Sequence, residues 1–295
     1  MMRRAHRVSP LLLVVCGLLA ATSVRAQLGI ALASSHDKFL RYEPIEVTVT
    51  LRNYSGNTLT FSQDGPNRGY LFFEVDTHNG RLVKPLKTKE NPAEGLVLNA
   101  GETKALSLSL NNFFDLQKPG SYTVKAQIGH ARLGNDYQSD EVTFEVREGL
   151  PILSRNVGLP GEDGGTRIKA MKVSLVLFQD DDQAIYCLRV EDDDLVYATI
   201  RLGRQIDSSE PEMDADATSD VHLLLQVAAR LYSYQIYNMA GGRVKLRQQS
   251  YYSPDNAVPR LTRSPGYIKV VNGKLAVEGV DYIIDTNGQY RSKTE

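Results

Sequence analysis

Several residue types are scarce in this 295-residue chain, and each scarcity excludes a class of structure. The chain contains two cysteines and no tryptophan. Because Cys16 lies in the amino-terminal apolar segment, the remainder has only Cys187 and cannot form an internal disulfide. The fold must therefore be stabilised by burial of apolar side chains. Cys187 alternates within an apolar strand pattern, which predicts a small core residue rather than a nucleophile.

The chain also lacks an excess of charge and a long apolar run. Its formal net charge is −1, which argues against general nucleic-acid binding and against a broadly cationic membrane surface. Residues 11–21 are apolar, but a membrane-spanning helix needs roughly 20 such residues. We therefore expect no nucleic-acid partner and no transmembrane segment in the mature chain.

Residues 1–26 have the pattern of an export signal. A basic start precedes the apolar run, and Val24 and Ala26 occupy the −3 and −1 positions of a cleavage site before Gln27. The pattern predicts a bacterial protein that is periplasmic or secreted. Lipidation at Cys16 is less favoured because the apolar run continues past that residue. A twin-arginine signal and an uncleaved anchor are further alternatives.

From residue 39 to residue 146, apolar side chains occupy every second position of several short runs. In the clearest run, Val47, Val49 and Leu51 share one face and polar residues share the other. Alternation with period two is typical of a strand with one buried face. The same alternation recurs at Leu71/Phe73/Val75, Leu106/Leu108/Leu110, Tyr122/Val124/Ala126/Ile128 and Val142/Phe144/Val146. Short strands at this spacing predict an all-β fold with a sandwich over residues 27–148.

Two segments of this module resemble immunoglobulin-like domains of exported bacterial proteins. Residues 42–53 resemble the start of the second strand, and residues 116–124 resemble the approach to a late strand with a tyrosine corner at Tyr122. The resemblance covers residues from about 35 to 148 and implies that the Tyr122 phenol holds the preceding turn. It implies a fold and no activity. The module departs from the antibody pattern because it lacks the cysteine pair and the tryptophan.

The second half of the chain predicts another β domain. Residues 149–167 are rich in glycine and proline, which predicts an irregular linker that acts as a hinge. Residues 173–202 resemble residues 221–251, at an offset near the period of propeller blades. Because two blades are too few for a propeller, we predict an antiparallel β domain over residues 168–285, a sandwich of two blade-like meanders. A hairpin turning at Asn272 could complete it, and residues 286–295 are expected to form a polar tail.

The acidic loop over residues 207–220 is the candidate cation site. Asp214 and Asp216 alternate as in the first half of a calcium loop, with Asp220 close behind. The pattern then fails, because Ser219 stands where the glycine of the sharp turn belongs. A solvated acidic loop is the alternative interpretation. We expect no cofactor, with calcium at these three aspartates as the exception.

The basic strand after residue 242 is the candidate ligand site. Arg243, Lys245 and Arg247 share one face, while Tyr232 and Tyr234 share a face of the preceding strand. Cations beside aromatic rings could bind an acidic glycan or a nucleic acid. The alternative is an exposed strand face whose long side chains protect the sheet edge.

No local catalytic motif occurs in the chain, so we expect no enzyme. His222 lies in an apolar strand and is expected on its wetter face. The leading hypothesis is an exported, non-enzymatic binding or structural protein whose partner is an unidentified protein or polysaccharide. One alternative is a carbohydrate-binding module that uses carboxy-terminal tyrosines, namely Tyr232, Tyr234, Tyr251 and Tyr252. The other is a hydrolase with carboxylates from the acidic turns.

Overall fold

The protein is described by a computed structural model that covers residues 27–86, 90–160, 168–181, 183–206, 209–239, 243–286 and 288–293. Nearly all regular structure in these ranges is β, with short 3-10 turns at Gly65–Asn67 and Leu110–Asn112. The predicted all-β class is confirmed. The export signal predicted for residues 1–26 lies outside the described residues. None of the described helical segments has the length and apolarity needed to cross a membrane.

The first module is a sandwich of two sheets. One sheet has the order β1-β3-β7, and the other has the order β2-β10-β8-β5 with β9 paired to β8. The strands are β1 (Leu28–Ser34), β2 (Lys38–Leu40), β3 (Glu46–Asn53), β4 (Leu59–Thr60), β5 (Gly69–Thr77), β6 (Val97–Leu98), β7 (Thr103–Ser109), β8 (Gly120–His130), β9 (Tyr137–Gln138) and β10 (Val142–Arg147). β4 pairs with β6 outside the two main sheets.

The core of this sandwich consists of the side chains that alternate in the sequence. Val47, Val49 and Leu51 of β3 are at most 1% exposed, and they pack in one cluster with Leu71 and Val124 from the facing sheet. Burial of an aliphatic side chain stabilises a fold by about 1.5–3 kcal/mol. The predicted alternation is therefore confirmed by the packing.

Tyr122 forms the tyrosine corner that the family resemblance implied. Its phenol donates a hydrogen bond to the carbonyl oxygen of Lys118 at 2.7 Å. The ring is buried and stacks with Phe144 of the neighbouring strand. One side chain thus joins the core to the backbone of the turn that leads into β8.

The second module also contains two sheets that share a core. One has the order β11-β12-β13-β14, and the other has the order β15-β16-β17-β18-β21. The strands are β11 (Leu150–Pro160), β12 (Ile168–Asp180), β13 (Gln183–Glu191), β14 (Val196–Arg204), β15 (Glu212–Ala215), β16 (Val221–Ala228), β17 (Leu231–Asn238), β18 (Lys245–Pro254), β19 (Arg260–Ser264), β20 (Tyr267–Val271), β21 (Gly273–Leu275), β22 (Tyr282–Ile284) and β23 (Tyr290–Ser292). Val173 and Leu188 of the first sheet cluster with Leu223 and Leu225 of the second. The two similar segments are thus meanders packed face to face, as predicted.

The predicted irregular linker is wrong for residues 150–160, which form β11. This strand pairs along its length with β12, from Leu150 opposite Leu177 to Pro160 opposite Ile168. β11 lies at the edge of its sheet, where a proline removes no bond from a second neighbour. Its prolines lie near its two ends, so the ladder between them is kept. The rest of the predicted linker, residues 161–167, lies outside the described residues.

The hairpin predicted around Asn272 is also wrong. β20 pairs with β19, and β21 pairs with β18 in the main sheet. The chain therefore passes from one sheet to another at Asn272, where φ is +60°. The β19–β20 hairpin covers the outer face of β16 and β17. The predicted polar tail contains β23, which pairs with β22.

The two modules pack directly against each other. Leu40 of the first module clusters with Val176, Phe178 and Cys187 of the second, and all four are fully buried. Side chains alternate along a strand, so Val176 and Phe178 point away from the core of the second sandwich and toward Leu40 of the first module. β12 is therefore buried on both faces, which accounts for its long apolar run. Cys187 is a core residue, as predicted.

Candidate functional site

The three aspartates predicted to bind calcium lie in separate polar contacts. Asp214 accepts a hydrogen bond from Arg263 at 2.5 Å. Asp220 contacts Arg247 at 2.5 Å and accepts a hydrogen bond from Asn238 at 2.6 Å. Asp207 of the same acidic loop lies outside the described residues. Across the described part of the chain, no three His, Cys, Asp or Glu residues are grouped so that they could hold a metal ion.

Asp216 belongs to a partly buried network rather than to a cation loop. It lies 3.2 Å from Nε2 of His222, whose Nδ1 lies 2.6 Å from the Tyr234 hydroxyl. Burial would raise the pKa of Asp216, but hydrogen bonds from Thr218, His222 and backbone N–H groups hold it below its ordinary value. His222 is 4% exposed and lies beneath the β19–β20 hairpin, so its predicted position on a wet face is wrong.

Two of the four tyrosines proposed to stack on a ligand, Tyr232 and Tyr234, are core residues, while Tyr251 and Tyr252 are partly buried. Tyr232 and Tyr234 are each 5% exposed and pack with Leu224 under the β19–β20 hairpin. Tyr251 is enclosed by Tyr282 and Tyr290 and shares a hydrogen bond of 2.7 Å with the Tyr290 hydroxyl. Stacking on a sugar requires an accessible ring face, and burial removes that access at Tyr232 and Tyr234. The partly exposed ring of Tyr252 packs edge-on against Tyr234, with 6.1 Å between the ring centres.

Two of the three predicted cations do line a concave surface. Arg243 and Lys245 are exposed and border a groove of about 450 Å³ beside β14. Arg247 lies apart from it, paired with Asp220. We call this surface the basic groove, and it is lined by Tyr42, Pro44, Val196, Tyr197, Ala198, Thr199, Ile200, Arg243, Val244 and Lys245.

The walls of the basic groove are formed by β14, by the turn at Tyr42 and by the segment around Val244. β14 is the last strand of its sheet, and no strand in the described ranges pairs with its outer edge. Tyr42 precedes β3 in a turn where its φ is +70°, and it lines the groove together with residues of β14. Val244 packs on the core of the second sandwich. Its neighbours Arg243 and Lys245 therefore face solvent.

A buried guanidinium lies beneath this groove. Arg189 of β13 is opposite Thr199 of β14, so the two side chains share a face of the sheet. Arg189 is 8% exposed, and its guanidinium carbon lies 5.4 Å from the centre of the Tyr42 ring. Its Nη2 donates to the carbonyl oxygen of Arg41 at 2.9 Å. Within the described residues, no carboxylate pairs with Arg189.

Three polar atoms around this guanidinium have no hydrogen-bond partner among the described residues. They are Nε of Arg189, Nε of Arg41 and Oγ1 of Thr199. A buried polar atom without a partner destabilises a fold by about 1–3 kcal/mol, and an unpaired buried charge by more. Arg41 is paired with Glu148 at 2.6 Å, so the positive charge that lacks an anion among the described residues is that of Arg189.

Arg201 lies two positions beyond Thr199 on the same strand. Unlike Arg189, it is stabilised by carboxylate partners. Its side chain donates to both oxygens of Glu43, to Asp180 at 2.9 Å and to the carbonyl oxygen of Lys38 at 2.5 Å. Burial opposes its charge, but these partners outweigh burial and raise its pKa. Arg201 is therefore a structural cation at the contact between modules, and its charge is already neutralised.

Sequence reasoning identified Arg243 and Lys245 and missed Arg189, Thr199 and Tyr42. A signal for Arg189 was present, because this arginine interrupts the apolar alternation of Tyr186-Cys187-Leu188-Arg189-Val190. A charged residue in a strand buried on both faces needs a compensating partner. The identity of its neighbours depends on the docking of two modules, which the local sequence does not encode.

Neither a family model nor a curated protein matches this chain. The crystal structure of Spo0M, a sporulation control protein from Bacillus subtilis, is 9% identical and has a TM-score of 0.29, with 61% of this chain and 91% of that chain covered. The periplasmic chaperone SfaE is 11% identical with a TM-score of 0.24, and 76% of this chain and 98% of that chain are covered. These TM-scores are too low for either similarity to bear on function.

Proposed function

We propose that this protein is an exported, non-enzymatic binding protein that holds carboxylate groups of an acidic polysaccharide in the basic groove. The buried guanidinium of Arg189, which has no carboxylate partner in the described residues, is the observation that carries the proposal. A planar guanidinium can donate two parallel hydrogen bonds to one carboxylate. An anionic ligand would supply the missing charge.

The residues above the guanidinium support an anionic ligand of extended shape. Arg243 and Lys245 border the same groove and form no ion pair with any described residue. The partly exposed side chains of Tyr42 and Tyr197 contribute apolar surface to the walls. Repeated carboxylates along a polymer could contact the buried and the exposed cations together.

The shape of β14 favours a polysaccharide over an added peptide strand. β14 has register shifts at Tyr197 and at Leu202, so its edge is irregular near both ends. Bulges at a sheet edge disrupt the ladder that an incoming strand would need. A polysaccharide makes no such ladder and requires only side-chain donors and apolar contact.

The test is calorimetric titration of the full chain with oligogalacturonate, with uncharged malto-oligosaccharide as the matched neutral ligand. We expect binding of the acidic oligomer only, weakened when ionic strength is raised because exposed charges are screened. Arg189→Leu should weaken binding by roughly tenfold or more, the equivalent of one charge-assisted hydrogen bond. The double variant Arg243→Ser/Lys245→Ser should also weaken it, without altering the core.

Arg247→Ser is the control, because this cation lies on the same sheet but pairs with Asp220 outside the groove. Equal binding by wild type, Arg189→Leu and the double variant would refute the proposed site. If poly-glutamate binds and oligogalacturonate does not, the basic groove serves a peptide and the polysaccharide proposal is wrong.

A further inference from the structure

A second cavity lies where the two modules meet the carboxy-terminal hairpin. Its volume is about 700 Å³, larger than that of the basic groove. His36 of the first module, the end of β14, the turn between β16 and β17, and β23 contribute to its walls. We call it the junction cavity. The junction cavity shares no lining residue with the basic groove.

The walls of the junction cavity are mainly apolar at the end of the second sandwich. Ile185, Leu202, Ile206 and Val227 line it, and each is only partly buried. Leu202 occupies a position where β14 shifts register against β13. A bulge of this kind re-aims a side chain, and bulges are common beside binding sites. The result is an apolar recess within the size range of small-molecule sites, roughly 300–1,000 Å³.

The charges at the edge of the recess leave one cation without an ionic partner. Arg201 is neutralised by Glu43 and Asp180, and Arg291 contacts Asp285 at 3.1 Å. Arg204 is exposed at the carboxyl end of β14 and pairs with no carboxylate of the described residues. His36 adds no charge at neutral pH, because burial and the nearby Arg201 lower its pKa. Among the described residues that line the cavity, Arg204 is therefore the cation that offers an unused positive charge to a ligand.

We propose that the junction cavity binds a small amphipathic carboxylate, with its hydrocarbon chain against Leu202, Ile206 and Val227 and its carboxylate against Arg204. Each further methylene that is buried should tighten binding by roughly fourfold, so chain length sets affinity. The positive charge of Arg204 requires a negatively charged head group on the ligand. The proposal requires both parts, an apolar chain and a negative charge.

The test is calorimetric titration of the full chain with three ligands that share a ten-carbon chain: decanoate, decanol and decyltrimethylammonium. We expect decanoate to bind roughly tenfold more tightly than decanol, as expected for one charge-assisted contact, and the cation to bind more weakly still. Arg204→Gln should reduce the affinity for decanoate to that for decanol, and Arg204→Lys should keep part of the difference. Val227→Asp should weaken the binding of decanoate and of decanol, because it places a charge in the apolar wall.

Two matched variants separate this site from the rest of the molecule. Arg132→Gln changes another exposed arginine, on the first module, and should leave decanoate binding unchanged. Arg189→Leu should also leave it unchanged, so failure of the polysaccharide proposal would not affect this result. The proposal is overturned if decanoate does not bind at millimolar concentration, if all three ligands bind equally, or if Arg204→Gln binds decanoate like the wild type.

Discussion

Arg189 is buried and Arg201 is partly buried on the adjacent strand, but their surroundings differ. Arg201 contacts two carboxylates, while Arg189 contacts a carbonyl oxygen and an aromatic ring. Removing one member of a buried ion pair leaves its partner charged in a poorly solvated environment. Removing a buried charge that has no ionic partner leaves nothing comparable behind. The two residues should therefore respond oppositely to replacement by leucine.

Arg201→Leu is expected to lower the free energy of unfolding by about 3 kcal/mol or more, because Glu43 and Asp180 lose their partner. Arg189→Leu is expected to be neutral or stabilising, because it removes an unpaired charge and adds apolar contact. Urea denaturation of both variants, followed by circular dichroism, measures the difference. A loss of similar size in both would show that Arg189 is compensated as fully as Arg201.

Cys187 should be unreactive in the folded protein. Its side chain is fully buried, and burial raises the pKa of its thiol to about 12. The thiolate is the reactive species, and both its population and its access to reagent are low. We expect no labelling of Cys187 by a thiol reagent at neutral pH until denaturant unfolds the chain. Rapid labelling of Cys187 under native conditions would contradict the packing between the modules.

At the scale of elements, Tyr122 ties the start of β8 to the turn before it. Tyr122→Phe keeps the buried ring and removes the donor to the carbonyl oxygen of Lys118. We expect a loss of about 0.5–1.5 kcal/mol in the free energy of unfolding, the usual contribution of one hydrogen bond. Tyr54→Phe, at an exposed ring, is the control and should change stability little. Thermal denaturation compares the two.

The free energy of unfolding should depend on pH through Asp216, which lies in the turn between β15 and β16. The pKa of Asp216 is lowered in the folded protein, from an unfolded value of about 3.9. A lowered folded pKa adds stability above the unfolded pKa, and this part is lost as the pH falls through the folded pKa. Asp216→Asn should therefore flatten the decline in stability below about pH 4, and it should lower stability at neutral pH.

Urea midpoints measured between about pH 6 and about pH 2.5 test this dependence. Asp64→Asn, at an exposed carboxylate, is the matched control. If Asp216→Asn and the wild type lose stability in parallel as the pH falls, the network with His222 does not contribute in the expected way.

At the scale of the whole molecule, Gly149 allows the two modules to approach each other. A methyl group at this position would lie 2.5 Å from Cγ1 of Val176 and 2.8 Å from Cδ1 of Leu40. Gly149→Ala should therefore destabilise the folded chain by about 1–3 kcal/mol, the usual cost of overpacking. Gly134→Ala is the control, because no atom lies within 4 Å of its added methyl. Equal melting temperatures for the two variants would show that the modules do not pack closely at this point.

Much of the fold could be predicted from local pattern. Val47, Val49 and Leu51 alternate because a strand points successive side chains to opposite faces, and the core uses that alternation. The two segments of similar sequence also form meanders in the structure. The errors occurred where pairing is non-local. The turn at Asn272 was predicted to close a hairpin, but β20 pairs with β19 instead. The Pro265-Gly266 turn that joins β19 to β20 carries its own signal, with φ of +85° at Gly266.

For the candidate site too, local spacing predicted some residues correctly, and the errors arose where distant contacts decide. Arg243 and Lys245 were identified because three cations share one strand face, a property of sequence spacing. Arg247 was included by the same rule, yet it pairs with Asp220. Tyr232 and Tyr234 were expected at the surface, but the β19–β20 hairpin buries them. Whether an aromatic residue is accessible depends on which distant segment covers it.

The sequence by itself determined that the chain is all-β, that it cannot form an internal disulfide after residue 26, and that alternating apolar residues make its cores. These properties follow from composition and from the two-residue period of a strand. Only the tertiary structure decided which cations stay unpaired and which cavities exist. Arg189 and Arg201 are both arginines in β strands, and it is the position of Glu43 on the other module that neutralises Arg201 and leaves Arg189 without a carboxylate partner among the described residues.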